Sequence, residues 1–260
     1  MMNETLRLIN ERISIKEGFL EKEIPDELMN TILEAGIRAP TASNMQRYSI
    51  IIIKDKERQK AIGAYPCSAV LVFNIDLNRW VKMCENIGAT YPFSGVRHLL
   101  TGMVDALLCA ENIVIAAQSL GVGSCFTNSI FKAGSMSEIF KILKLPKYVF
   151  PVIALCLGYP KEWPKRKRSR LRRGILHSET YNDFSEEDIE SILQEYNSMD
   201  FVGMKDLKKI EAEGFKNYIE WFVKEWVQLE SWPQSKRRDF WTSLVKTGFF
   251  DPKYNGLDLR

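Results

Sequence analysis

Histidine is scarce in this chain, with only His98 and His177 among 260 residues, and the five cysteines (Cys67, Cys84, Cys109, Cys125, Cys156) include no CxxC pair. A zinc or iron-sulfur centre has little to build on, so no metal is expected. An odd set of scattered thiols fits a reducing compartment better than a secreted disulfide scaffold. Long apolar runs are also missing: residues 50–53 and 69–73 are strand-sized, far below the ~20 residues of a membrane helix. The N-terminal MMNETLRLINERISIK has no continuous apolar stretch of signal-peptide length. The expectation is a soluble, cytoplasmic protein. Charge is nearly balanced at a formal +3, so the chain as a whole is no polycation seeking nucleic acid. Gly121-Val122-Gly123 lacks the GxGxxG spacing and the preceding strand of a dinucleotide fold.

What is present is an apolar content of 45%, enough for one large core with a helical appendage. Residues 4–11 read as a short helix with Leu6 and Ile9 inward, and a second helix follows Pro25-Asp26 and ends near Arg38, before Pro40. Residues 48–54 and 68–75 are β-branched, apolar runs that predict strands buried on both faces, with a short helix between them. From 97 to 120 apolar residues recur at helical spacing around most of the circumference, which predicts a central helix buried by the sheet and by a partner. Ser135 and Glu138 form a capping box for the next helix, and residues 148–157 are a further strand. Beyond about 181 the pattern is helical only, at 185–196 and then 206–232. There Phe215, Tyr218, Ile219, Phe222, Val223 and Trp226 share one stripe too apolar for a free surface. The reading is α+β: a central mixed sheet flanked by helices in residues 1–182, and a helical C-terminal extension in 183–260 packed on the core or on a partner subunit.

Several constellations carry chemistry. In an extended segment, side chains at i, i+2 and i+4 point the same way, so Arg12, Ser14 and Lys16 converge while Ile13 and Ile15 face the core. Two cations and a hydroxyl suit a phosphate, each charge-assisted bond contributing roughly 1.5 to 3 kcal/mol when sheltered. The same alternation also fits a solvated surface strand. Arg168-Ser169-Arg170 repeats the spacing inside a basic run from Lys165 to Arg173. By itself that run also fits a nucleic-acid patch, although it lacks interleaved aromatics for base stacking. Pro40-Thr41-Ala42-Ser43-Asn44-Met45-Gln46 places small residues and two amides directly before a strand, where they can read a polar heterocycle edge.

In this order, the motifs resemble those of the nitroreductase-like FMN-dependent flavoproteins. Arg12, Ser14 and Lys16 match the opening R-x-S-x-[RK]. Pro40 to Gln46 is similar to the A-P-S-x-x-N-x-Q loop, and Gly121-Val122-Gly123-Ser124-Cys125-Phe126 to the G-[IV]-G-[ST]-C-W segment. Lys167-Arg168-Ser169-Arg170-Leu171 is similar to the late basic clamp, and His177-Ser178-Glu179-Thr180-Tyr181 to the stretch closing the core. The resemblance spans roughly residues 7 to 182. It departs from the family pattern at Arg47-Tyr48, where Pro-Trp is common, at Phe126 in place of Trp, and at Thr127-Asn128-Ser129 in place of a Gly-rich continuation.

The resemblance implies a homodimer with FMN at the subunit interface. FMN would be held by Arg12, Ile13, Ser14, Lys16, Arg168 and Arg170, by Pro40, Thr41, Ala42, Ser43, Asn44 and Gln46, and by backbone near Phe126, Thr127 and Asn128 at the flavin's reactive edge. It implies a ping-pong oxidoreductase in which NADH or NADPH passes hydride to flavin N5 and a flat acceptor such as a quinone or nitroaromatic then takes it up. No catalytic acid is nominated. Residues 80–97, with Glu85, Tyr91 and Arg97, are similar to the substrate lid of reductive dehalogenases on the same fold, which gives one rival reading. A flavin-binding protein without turnover is another.

Overall fold

The computed structural model describes residues 3–16, 18–92, 95–132, 135–165, 170–198, 207–227 and 233–250. The chain divides into two compact units, Met1–Trp163 with Gln234–Arg260, and Pro164–Pro233. The sequence reading places the start of the helical extension at residue 183.

The first unit is built on four strands, β1 (Tyr48–Ile53), β2 (Ala69–Asp76), β3 (Gly123–Thr127) and β4 (Val149–Gly158), in the order β1-β2-β4-β3. All three ladders are antiparallel, and among the described residues a parallel bridge joins Ser14 to Ser124. The central β2 is buried on both faces, as its unbroken apolar run predicts. Its alternate residues serve two cores: Val70 and Val72 join Ala154 and Cys156 on one side, while Ala69, Leu71 and Phe73 join Leu155 and Leu157 on the other. β1 differs from expectation: as an edge strand it is only partly covered, and Ile52 is exposed. The β2–β4 register slips between Phe73 and Asn74, beside Pro151, which has no N–H to give the ladder.

Helices α1 (Glu4–Glu11), α2 (Asp26–Ile37), α3 (Lys56–Ala61), α4 (Asn78–Asn86), α5 (Val96–Ser119), α6 (Ser129–Lys132) and α7 (Met136–Leu143) connect and cover the strands. α5 is long and apolar enough to pass for a membrane span by length and composition, yet Ala106, Cys109, Ala110, Ile113, Val114 and Ala117 bury one side of it in the core beside β2. Leu6 and Ile9 of α1, expected inward, are instead about half exposed. The capping box of α7 forms as read: Ser135 Oγ accepts from the Glu138 N–H at 3.2 Å and the Ser135 N–H donates to Glu138 Oε2 at 3.1 Å. A helix the sequence reading did not anticipate, Gln234–Lys246, packs on α7, where Asp239 accepts from the N–H groups of Met136 and Ser137.

The second unit holds α8 (Glu186–Ser198), α9 (Leu207–Ala212) and α10 (Tyr218–Trp221), the last continuing as a π-helical turn over Phe222–Trp226. The stretch from 206 onward is therefore not one helix. Gly214 takes a φ of +87°, which ends α9. Of the expected stripe, Tyr218 is buried, Phe215, Ile219, Phe222 and Trp226 are partly buried against the same small core, which Trp221 and Ile210 complete, and Val223 is exposed.

Candidate functional site

Arg12 ends α1 and turns the chain into an extended course beside β3. The Ile15 N–H donates to Ser124 O at 2.8 Å, and the Ile13 N–H donates to Gln118 Oε1 at 3.1 Å. The alternation read from the sequence is realised. Ile15 is buried and Ile13 packs against the same core, while Ser14 is exposed and Arg12 and Lys16 are half exposed. Arg12 Nη1 donates to Ser14 Oγ at 3.4 Å. Gln118, which orients this segment through its backbone, carried no signal in the sequence, since its partner lies 105 residues away. Beyond Lys16 opens a groove of about 1120 Å³ whose walls include Lys56, Lys60, Lys161, Gln59 and Tyr65. None of the other proposed site residues lines it.

The same strand, β3, carries the third predicted group. Phe126 lies opposite Leu155 and Thr127 opposite Ala154; both are half-buried, and Asn128 is exposed at the strand end with its carbonyl accepting from the Phe131 N–H at 2.9 Å. Arg12, Ile13, Ser14 and Lys16 and residues 126–128 are thus brought onto one scaffold through the bridge at Ser124.

Residues 40–46 are held by other partners. Pro40, Ala42, Ser43 and Asn44 are exposed, and Thr41 and Gln46 are half-buried. Ser43, Asn44 and Gln46 all adopt left-handed backbone, with φ of 54°, 53° and 44°, each a costly conformation for a residue with a Cβ. Asp105 of α5, wholly buried, closes this loop from beneath. Its Oδ1 accepts from the Ala42 N–H at 3.0 Å and its Oδ2 from the Arg47 N–H at 3.1 Å. The Arg47 guanidinium sits 3.8 Å from the same carboxylate and donates to Ala42 O at 3.3 Å, leaving its Nε without a partner. From α4, Trp80 Nε1 donates to Met45 O at 2.8 Å and Arg79 donates to Gln46 O. Asp105 was missed by the sequence reading. Its signal was an acid at the same helical face as Gly102, Ala106 and Cys109, where an unpaired charge is not tolerated.

Tyr91, within residues 80–97, brings its Oη within 3.1 Å of Nε2 of His98, just beyond that segment, and their rings are 5.3 Å apart. Burial, then the cations of Arg47 and Arg97, hold His98 below the ordinary histidine range. Tyr48, facing Cys109 on α5, is pushed well above the usual phenol range by burial and by that thiol contact.

Arg168 lies outside the described residues, and Arg170 is exposed in the second unit. Arg172 and Arg173, at the end of the basic run, both meet Glu195 of α8: the Arg172 N–H at 3.0 Å, and the Arg173 guanidinium, itself largely exposed, at 3.7 Å.

The donor set fits a flavin mononucleotide in kind. Two cations and a hydroxyl stand on the outer side of a segment whose inner side is sealed, and a loop carrying the exposed amide of Asn44 and the half-buried amide of Gln46 is fixed in one conformation. Similarity to known proteins points the same way. The chain is 30% identical over 208 residues to the FMN reductase [NAD(P)H] of Bacillus subtilis, covering 75% of this chain and 80% of that one. It is 28% identical over 193 residues to the oxygen-insensitive NADPH nitroreductase of Salmonella typhimurium, covering 71% and 78%. The structure of B. megaterium NfrA2 superposes with a TM-score of 0.77 at 26% identity, covering 95% of this chain and 98% of that one. The family profile described as "Nitroreductase family" matches residues 9–159, more than half of the sequence, and the chain belongs to that family.

Proposed function

We propose that this chain is an FMN-dependent NAD(P)H oxidoreductase of the nitroreductase type, acting as a cytoplasmic homodimer on a flat acceptor such as a quinone or nitroaromatic. The observation that carries this reading is the array of Arg12, Ser14 and Lys16 on one side of a segment locked to β3, with Phe126, Thr127 and Asn128 further along the same strand. Family membership and the names of its relatives support it.

When bound, FMN supplies the redox chemistry, accepting hydride from NADH or NADPH and giving it up to the acceptor. The chain's own residues do the rest. Arg12 and Lys16, with Ser14, would hold the phosphate by charge-assisted bonds. Amide and backbone groups of residues 40–46 offer donors at the heterocycle edge, where they stabilise negative charge that builds up on reduction. Phe126, Thr127 and Asn128 shape the slot that admits donor and acceptor in turn. The flavin-binding portion is assigned to residues 1–182, with 183–260 as its helical extension.

A second copy of the chain is the partner that fits. On α5, Val96, Leu100, Val104 and Leu108 follow one another at i+4 spacing, and Leu107 flanks them; all are 40–53% exposed. Such a continuous apolar stripe is unusual on a free surface and suits an isologous interface.

The test is the absorption spectrum of the purified protein, followed anaerobically as NADH or NADPH is added. Flavin bands that bleach with one of them and return with a quinone or nitroaromatic are the expected result. Bands that persist with both nicotinamides would mark a flavin-binding protein without turnover. Absence of the bands even after reconstitution with FMN would sink the assignment.

A further inference from the structure

We propose that Asp105 is the positioning residue of the Thr41–Gln46 loop, fixing through its buried carboxylate the backbone shape with which that loop meets the flavin. This inference rests on the FMN reading above. Neither the loop's own sequence nor its exposed surface explains its shape. Three of its residues, Ser43, Asn44 and Gln46, hold positive φ although each has a Cβ, and conformations of that kind persist only where surrounding structure over-determines them. The internal bonds tie the loop only to itself: the Asn44 N–H donates to Thr41 O at 3.2 Å, the Met45 N–H to Ala42 O at 3.2 Å and the Gln46 N–H to Thr41 Oγ1 at 3.4 Å, and the Gln46 side chain bonds back to Asn44.

Asp105 supplies the missing constraint. Its two oxygens take one N–H from each end of the loop, Ala42 and Arg47, so the carboxylate spans the turn like a bracket. It comes from α5, whose neighbouring residues Ala106 and Cys109 are fully buried against the sheet, so the bracket is referenced to the rigid core. Gly102, one turn earlier, is what lets α5 approach: a Cβ there would stand 3.0 Å from Arg47 O. Arg47 balances the buried charge from the loop side, and Trp80 and Arg79 hold Met45 and Gln46 from above. Two backbone N–H acceptors on one buried side chain define position in a way that an apolar residue of equal size would not.

Asparagine at 105 keeps the shape but offers a single oxygen, and its NH2 group faces an N–H that needs an acceptor. In Asp105→Asn apoprotein, hydrogen exchange is expected to rise about tenfold or more at whichever of the Ala42 and Arg47 amides faces the NH2 group, while the β2 and β4 amides keep their protection. FMN affinity, read by quenching of flavin fluorescence on titration into apoprotein, is expected to fall by about tenfold or more. At saturating FMN the visible circular dichroism of the bound flavin is expected to change. If the asparagine leaves Arg47 an uncompensated cation and the variant does not fold, Asp105→Asn combined with Arg47→Met buries no charge and carries the same measurements.

Unchanged loop exchange would overturn the proposal, as would unchanged FMN affinity in a wild type that binds FMN. Loss of protection spread evenly through β2 and β4 would overturn it too, since Asp105 would then be serving the fold as a whole. If wild-type apoprotein takes up no FMN, the flavin reading is what fails, and the exchange measurement still decides whether Asp105 sets the loop.

Discussion

Ile15 and Gly123 lie so close that a Cβ added to Gly123 would stand 2.7 Å from Ile15 Cγ1, with Gly158 O at 3.3 Å on its other side. This absence of a side chain lets the Arg12–Lys16 segment lie on β3 and donate from Ile15 to Ser124. Gly123→Ala therefore has to push the segment outward or force Ile15 off its rotamer, at roughly 1 to 3 kcal/mol. The expected outcome is a lower melting temperature together with weaker FMN binding, because the cations move with the backbone. An alanine variant that melts and binds as the wild type does would show that the segment is not seated through this contact.

Replacing Arg12 and Lys16 together by alanine removes two charge-assisted bonds to the phosphate. At about 1.5 to 3 kcal/mol each, FMN affinity should fall by roughly 3 to 6 kcal/mol with little loss of fold, since both side chains are half exposed. Replacing Arg172 and Arg173 should cost far less, because their partner is Glu195 within the second unit. Equal losses in the two double variants, measured by fluorescence titration, would remove the Arg12–Lys16 assignment.

Much of this arrangement was legible beforehand, for reasons that also mark where legibility ends. The alternation at 12–16, the capping box of Ser135 and Glu138 and the unbroken apolar run of β2 are local patterns, and local backbone geometry converts them directly into facing. Asp105 could not be read as a bracket because its partners Ala42 and Arg47 lie 63 and 58 residues away. Leu6 and Ile9 misled because amphipathic spacing tells which side of a helix is apolar and not whether this chain covers it. The stripe from Phe215 to Trp226 continues the helical period past Gly214, yet one positive φ was enough to end the helix before it.

His98 gives the stability a pH dependence with a definite sign. Its pKa is lowered in the folded protein, first by burial and then by Arg47 and Arg97. The unfolded chain, titrating near ~6.5, takes up a proton before the folded one does. The contribution is therefore in place above about pH 6.5 and is lost as pH falls through the lower folded value. His98→Asn should flatten the decline in melting temperature between about pH 7 and about pH 5 relative to the wild type. Parallel melting curves across that range would exclude His98 as the group responsible.

The apolar stripe on α5 makes the assembly testable without reference to flavin. Leu100 and Val104 are 51% and 53% exposed and sit one turn apart, so each glutamate placed there projects from the centre of the stripe. In a single chain, Leu100→Glu with Val104→Glu puts charge where water already reaches, and the cost to folding should be small. Across an isologous interface the same pair faces its own copy, burying like charges against apolar surface. Sedimentation is expected to find the wild type dimeric and the double variant monomeric, with circular dichroism unchanged. On the proposed placement of the flavin at the subunit interface, the monomer should also lose FMN. A double variant that stays dimeric would move the interface off α5, and one that becomes monomeric yet binds FMN at full affinity would place the flavin within a single chain.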